Sequence, residues 1–244
     1  PTNDIVVMRF HVPGTGRVDL VMQCGSRIHT TQYPLENPTT PPSFPMLLRK
    51  RIKGAHVESI TQHNFDRVIK IRVKKDKYYT IIVELFDKGN IILLDDENNI
   101  IQPLKRKQLS ERDISSKREY VFPKERGINP IEVTKEELSE LFKNADSDAV
   151  RTLAMNGLGS LYAEEIIQRA NNTVEIDKNT PTSQLSDKQI AEIHNSMQEL
   201  FDNLKDGSIK PQIVKKDSKE DVVPLDLIKY DDFEKTFYND FNEA

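Results

Sequence analysis

The chain has 244 residues, 36% of them hydrophobic and 30% charged, a composition that fits a soluble protein with room for two compact domains. No apolar run approaches membrane-spanning length, no charged-then-apolar leader opens the chain, and one cysteine, Cys24, excludes an internal disulfide framework and a Cys-based zinc cluster; the expected setting is reducing and cytoplasmic. The net charge of -4 hides a split: residues 1–127 hold 22 Lys/Arg against 15 Asp/Glu, and the remainder 13 against 24, so a polyanionic partner is expected on the first half.

In chain order, "DIVVMRFHV" and "RVDLVMQC" flank the turn "PGTG" and predict a hairpin. "PSFPMLLRKRI" spaces Phe44, Leu47, Leu48 and Ile52 as a helix, with Arg49, Lys50, Arg51 and Lys53 on its other faces. "AHVESITQH", "RVIKIRVKK", "YYTIIVELF" and "NIILLDD" then read as antiparallel strands separated by "KDK" and "DKGN". Past the joint "FPKERGINP" the period changes to helical in "TKEELSELFKNA", "DAVRTLAM", "LYAEEIIQRA" and "SDKQIAEIHNSMQELFDNL", with capping boxes expected at Thr134 with Glu137 and at Ser186 with Gln189. The predicted class is α+β: an antiparallel β-rich domain over 1–127, an all-helical helix-hairpin-helix module over 128–210, and a returning tail over 211–244.

Catalytic signatures are missing from the pattern. Five scattered histidines, His11, His29, His56, His63 and His194, offer no metal-ligand spacing, and no Ser-His-Asp set, phosphate-binding loop or dinucleotide fingerprint occurs. A binding protein without metal or cofactor is therefore expected. Four features suit phosphate. "GLGSLYAEEIIQRA" opens a helix on Gly157 and Gly159, which presents backbone N–H groups and the positive end of the helix dipole to an anion; a merely structural glycine turn is the plain alternative. The basic helix carries Arg49 and Lys50, and "PLKRKQ" carries Lys105, Arg106 and Lys107, each set equally readable as a solvated face. In "HNFDRVIKI", Asp66 and Arg67 are expected at the start of a strand, pointing to opposite faces; Arg67 could fork onto a phosphate or base edge while Asp66 orients a neighbouring donor, or both could be ordinary edge charges.

"YPLENPTTPPSFPMLLRKRIKG", "FDRVIKI" and "VELFDKGNIILLDD" resemble, in order and spacing, the N-terminal domain of the NFACT family, the group that includes RqcH and NEMF and whose bacterial members were first labelled fibronectin-binding proteins. The resemblance covers nearly the whole chain. It implies a role in ribosome-associated quality control: binding the large ribosomal subunit with its peptidyl-tRNA, and recruiting tRNA for mRNA-independent extension of the stalled chain. The family's Asp-Arg pair, implicated in tRNA handling, falls on Asp66 and Arg67, and a further acidic residue of the family falls ahead of Pro1. "PTNDIVVMRF" resembles an internal stretch of the family, and "FYNDFNEA" the stretch before its coiled coil, so segments are expected beyond both ends.

The helical half is also similar to the helix, two-turn, helix segment of formamidopyrimidine-type DNA glycosylases, which makes DNA repair the rival. Those enzymes attack with an N-terminal proline followed closely by a carboxylate and carry a C-terminal zinc finger. Here Thr2 and Asn3 follow Pro1 and a single cysteine is present. Two alternatives remain: a protein-interaction module, as the fibronectin-binding label suggests, and a tRNA-directed enzyme, which ranks below a binding role because the sequence shows no activated nucleophile.

Overall fold

The computed structural model describes residues 4–33, 36, 38–108, 112–124, 127–205 and 207–244. Pro1, positions 34, 35 and 37 of the 33–54 motif and the middle of the 122–130 joint lie outside the described residues. The chain divides into two compact units, Pro1–Glu125 and Arg126–Ala244.

In the first unit β1 (Ile5–Val12), β2 (Gly16–Gln23) and β3 (Arg27–Thr31) form one antiparallel sheet. After α1 (Ser43–Ile52), a five-stranded antiparallel meander follows in chain order: β4 (His56–Gln62), β5 (Val68–Lys74), β6 (Tyr78–Glu84), β7 (Ile91–Leu94) and β8 (Ile100–Pro103). The short strands β9 (Lys107–Gln108) and β10 (Asp113–Ile114) pair beyond it. Alternation sorts the side chains of the meander onto two faces. Ile71, Val73, Ile81, Val83, Ile91 and Leu93 share a core with Phe44, Leu48 and Ile52 of α1 and with Val6, Leu20 and Met22. On the opposite face Val68, Ile82, Ile92, Leu94 and Ile100 pack with Ile114 and Tyr120. Strand β7 is covered on both faces, which is why "IILL" is an unbroken apolar run instead of an alternating one.

The second unit contains α2 (Lys135–Lys143), α3 (Ala149–Leu153), α4 (Gly159–Asn171) and α5 (Asp187–Lys205). Both capping boxes form: Thr134 N–H donates to Glu137 at 2.8 Å and Glu137 N–H to Thr134 Oγ1 at 3.2 Å, with the same exchange between Ser186 and Gln189. Residues 211–244 then fold as more than a tail. Strand β11 (Gln212–Lys216) lies between β12 (Lys219–Val223) and β13 (Glu234–Phe237), antiparallel to both. Val214, Val223, Leu225, Leu227 and Tyr230 enter the core formed by Leu138, Phe142, Leu153, Ile166, Ile193 and Met197. The Arg126–Ala244 unit is therefore mixed, with helices and a sheet sharing one core. "QIVKK" and "KEDVV" hide these strands because their lysines and acids are exposed and few apolar positions remain to display a period of two.

Candidate nucleic-acid interface

Asp66 and Arg67 stand in the tight turn between β4 and β5, ahead of the strand on which the sequence placed them. Asn64 holds a left-handed backbone (φ 49), and Asp66 N–H closes the turn on the His63 carbonyl at 3.1 Å. The expectation of opposite faces rested on strand alternation, which does not govern a turn. Asp66 uses its carboxylate locally, accepting the Arg67 backbone N–H at 2.7 Å, while Gln62 Nε2 donates to the Asp66 carbonyl at 2.9 Å. The Arg67 carbonyl accepts Leu85 N–H at 2.7 Å. The backbone of Arg67 is thus fixed on both sides, whereas its side chain is exposed and pairs with no carboxylate among the described residues.

Directly across the sheet, Glu84 pairs with Val68, the residue after Arg67. Glu84 is fully buried and is the partner that sequence reasoning missed. Its Oε1 accepts Arg112 Nη1 at 2.7 Å and the Tyr120 hydroxyl at 3.0 Å. Its Oε2 has no hydrogen-bond partner among the described residues. Burial, reinforced by the Glu84 charge, pushes the Tyr120 phenol far above its ordinary range, so it acts as a fixed donor. Beside this network His63 stacks on Phe122 at 3.7 Å. The signal for Glu84 was present in "YYTIIVELF": a lone carboxylate inside an apolar strand must find a partner.

The other basic candidates separate. Arg49 and Lys50 are exposed on α1, whose apolar stripe docks on the sheet face opposite the one that carries Glu84. The triplet at 105–107 is partly consumed by the fold: Lys105 pairs with Asp4, and Lys107 donates to the Gly89 carbonyl at 3.1 Å. Cys24 Sγ donates to the same carbonyl at 2.8 Å, and burial pushes this thiol up, away from nucleophilic use.

In the second unit the glycine turn precedes α4 as expected, with Gly157 at φ 102 and Gly159 at φ 71. Unlike α2 and α3, capped by Thr134 and Asp148, α4 has no side-chain cap and no acidic residue in its first turn. The Gly159 N–H is spent on the Ala154 carbonyl, but a Cβ built on Gly159 meets nothing within 4 Å, so an incoming group could closely approach the uncapped N–H groups of the first turn that follows.

The sequence matches the model of the NFACT N-terminal and middle domains over residues 1–244. The chain belongs to the NFACT family. An NFACT relative from Methanocaldococcus jannaschii, named archaeal Rqc2 homolog aRqcH, is 41% identical over 99% of this chain and 36% of its own length. Human ribosome quality control complex subunit NEMF is 25% identical over 99% of this chain and 23% of its own length, so the chain spans about a third or less of these relatives. Among solved structures, one described as the fibrinogen binding protein from Staphylococcus aureus superposes on the whole NFACT chain and 86% of its own, with a TM-score of 0.75 at 23% identity; at that identity the likeness concerns the fold. Among the described residues no helix is long and apolar enough to cross a membrane.

Proposed function

We propose that this NFACT chain serves in ribosome-associated quality control, binding tRNA and the large ribosomal subunit with its peptidyl-tRNA in support of mRNA-independent tailing of stalled chains. The relatives named for ribosome quality control support the general role. The observation that carries the tRNA reading is the Asp66–Arg67 turn. Asp66 spends its carboxylate on the Arg67 backbone N–H, so the neighbouring guanidinium is not neutralised by it and remains free to fork onto a phosphate or a base edge. A side chain held by a turn whose own backbone is tied to β6 through Leu85 loses less freedom on binding than one on a mobile loop. On this reading the Gly157 and Gly159 turn brings RNA phosphate to the uncapped first-turn N–H groups of α4, the Gly159 N–H itself being held by the Ala154 carbonyl, and Arg49 and Lys50 add backbone contacts from α1.

The test compares tRNA, duplex DNA and abasic DNA by gel shift at two salt concentrations. The parent chain is expected to prefer tRNA, and Arg67→Ala to lose that preference while its thermal unfolding stays unchanged. Asp66→Asn, which keeps an acceptor for the Arg67 N–H, is expected to retain most of it. Preference for abasic DNA, with borohydride trapping at Pro1, would replace this reading with base excision.

A further inference from the structure

Strand β5 reads Val68, Lys70, Arg72, Lys74 on one face and Ile69, Ile71, Val73 on the other. The second set is core. The first shares its face with Ile114 and Tyr120, but these cover the sheet around Val68, Ile82, Ile92 and Leu94, and Arg72 and Lys74 remain exposed. The result is a row of three cations at alternate positions, spaced about 7 Å apart by strand geometry.

Three observations make this row more than a solvated edge. Its side chains are held over rings: Arg72 lies 4.3 Å from the Tyr78 centroid, Lys74 5.2 Å from the same ring, and Lys70 6.0 Å from Phe122. Across the ladder the residues facing them are uncharged or basic, with Thr61 opposite Lys70, Ser59 opposite Arg72 and His56 opposite Lys74. The only carboxylate touching the row among the described residues is Glu58, 3.8 Å from Arg72 and within 3.5 Å of the Tyr78 hydroxyl; Lys70 and Lys74 have none. The row also begins at the Arg67 turn, since β5 starts one residue later.

We infer that the Lys70–Arg72–Lys74 face of β5 is a track for the sugar-phosphate backbone of RNA, entered at Arg67 and supported by the Ser59 and Thr61 hydroxyls. Evenly spaced cations on a rigid strand suit a repeating polyanion, and contacts to the backbone position a ligand without reading its sequence. The inference rests on the RNA-binding reading above but assigns different residues a different job: Arg67 selects, and the β5 face holds.

The two jobs separate experimentally. Binding of tRNA and of an unrelated single-stranded RNA to the full 244-residue chain is measured over a salt series for the parent, Lys70→Gln/Lys74→Gln and Arg67→Ala, with circular dichroism melts to establish folding. The double variant is expected to weaken both RNAs alike and to flatten the plot of log affinity against log salt by about one unit per lysine. Arg67→Ala is expected to reduce the preference for tRNA while leaving most of the slope. An unchanged slope in a folded double variant overturns the track, whatever Arg67→Ala does. Weakening of tRNA alone overturns it too, because backbone contacts carry no selectivity. Salt-sensitive binding of polyglutamate by the parent, lost in the double variant, with no measurable binding of either RNA would assign the face to an acidic protein instead.

Discussion

Among the described residues each unit buries one glutamate, and the two are satisfied differently. In the second unit Glu165 is matched completely: Oε1 accepts Arg169 Nε at 2.7 Å and Ile228 N–H at 3.0 Å, and Oε2 accepts Lys229 N–H at 3.4 Å, while Arg169 reaches on to the Asp226 carbonyl at 2.8 Å. In the first, Glu84 concentrates its donors, Arg112 and Tyr120, on one oxygen and leaves the other without a partner among the described residues. A buried carboxylate that takes donors on both oxygens works as a clamp, here fastening the 225–230 segment to α4. One that is half used contributes less to stability and stands one residue across the ladder from the turn carrying Arg67.

The sharpest way to break this comparison is to replace each carboxylate by an amide. At Glu165 the amide nitrogen must face a donor whichever way it turns, and Arg169 loses its countercharge. Glu165→Gln is therefore expected to cost about 4 kcal/mol, in the range for breaking a buried pair from one side. At Glu84 the amide nitrogen can occupy the side without a donor and keep the oxygen on Arg112 and Tyr120. Glu84→Gln is expected to cost about 2 kcal/mol, most of it the lost charge on Arg112. Urea unfolding of both variants checks the order; equal losses would show that the two sites are equivalent and erase the contrast.

The same contrast separates two glycines of the second unit. A Cβ on Gly127, at φ 97, would lie 1.9 Å from the Asn156 carbonyl oxygen, the acceptor of Ile128 N–H at 3.0 Å. Gly159 has a left-handed φ but open space where a Cβ would go. Gly127→Ala should thus cost about 3 kcal/mol through enforced displacement of backbone on top of its positive φ, and Gly159→Ala about 2 kcal/mol through backbone strain alone, since φ 71 with ψ 166 is a conformation that only glycine adopts readily. If the open glycine serves RNA, only Gly159→Ala should weaken RNA binding by more than its stability loss explains. A variant pair that differs in melting temperature but not in RNA affinity would reduce the glycine turn before α4 to a structural feature.

Why these contrasts were only partly visible in the sequence has a physical answer. Strands β4 to β7 and helix α5 announce themselves because alternation, helical spacing and the Ser186 capping box are local signals. The partners of Glu84 lie 28 and 36 residues away, at Arg112 and Tyr120, and nothing local ties them to it. Strands β11 and β12 reach the core through single valines among exposed charges, so their packing on α2 to α5 was hidden as well. Asp66 and Arg67 were singled out by the family resemblance, and charge patterning alone would have left them as edge charges. Their placement in a turn, with Asp66 bonded to its neighbour's backbone, depended on the left-handed Asn64, a conformation that a polar residue of this type permits but does not announce.

The smallest effect concerns what surrounds the Glu165 clamp. Asp226, whose carbonyl takes Arg169, uses its carboxylate to accept Lys210 Nζ at 2.6 Å and Gln212 Nε2 at 3.1 Å. The hydrogen bond from Lys210 holds the Asp226 carboxyl below its ordinary value of 3.8. A carboxyl whose value is lowered by folding stabilises fully above its unfolded value, and the contribution disappears as pH falls through the folded one. The stability difference between the parent and Asp226→Asn should accordingly be constant from neutral pH down to about 3.8 and shrink in stronger acid. The group is largely solvated, so solvent screening keeps the difference small. Urea midpoints taken over a descending pH series decide the matter: curves that converge in acid place Asp226 in the fastening of the C-terminal segment through its charge. Curves that stay parallel would leave the Glu165 clamp as the electrostatic tie of that segment and make Lys210 an ordinary surface cation.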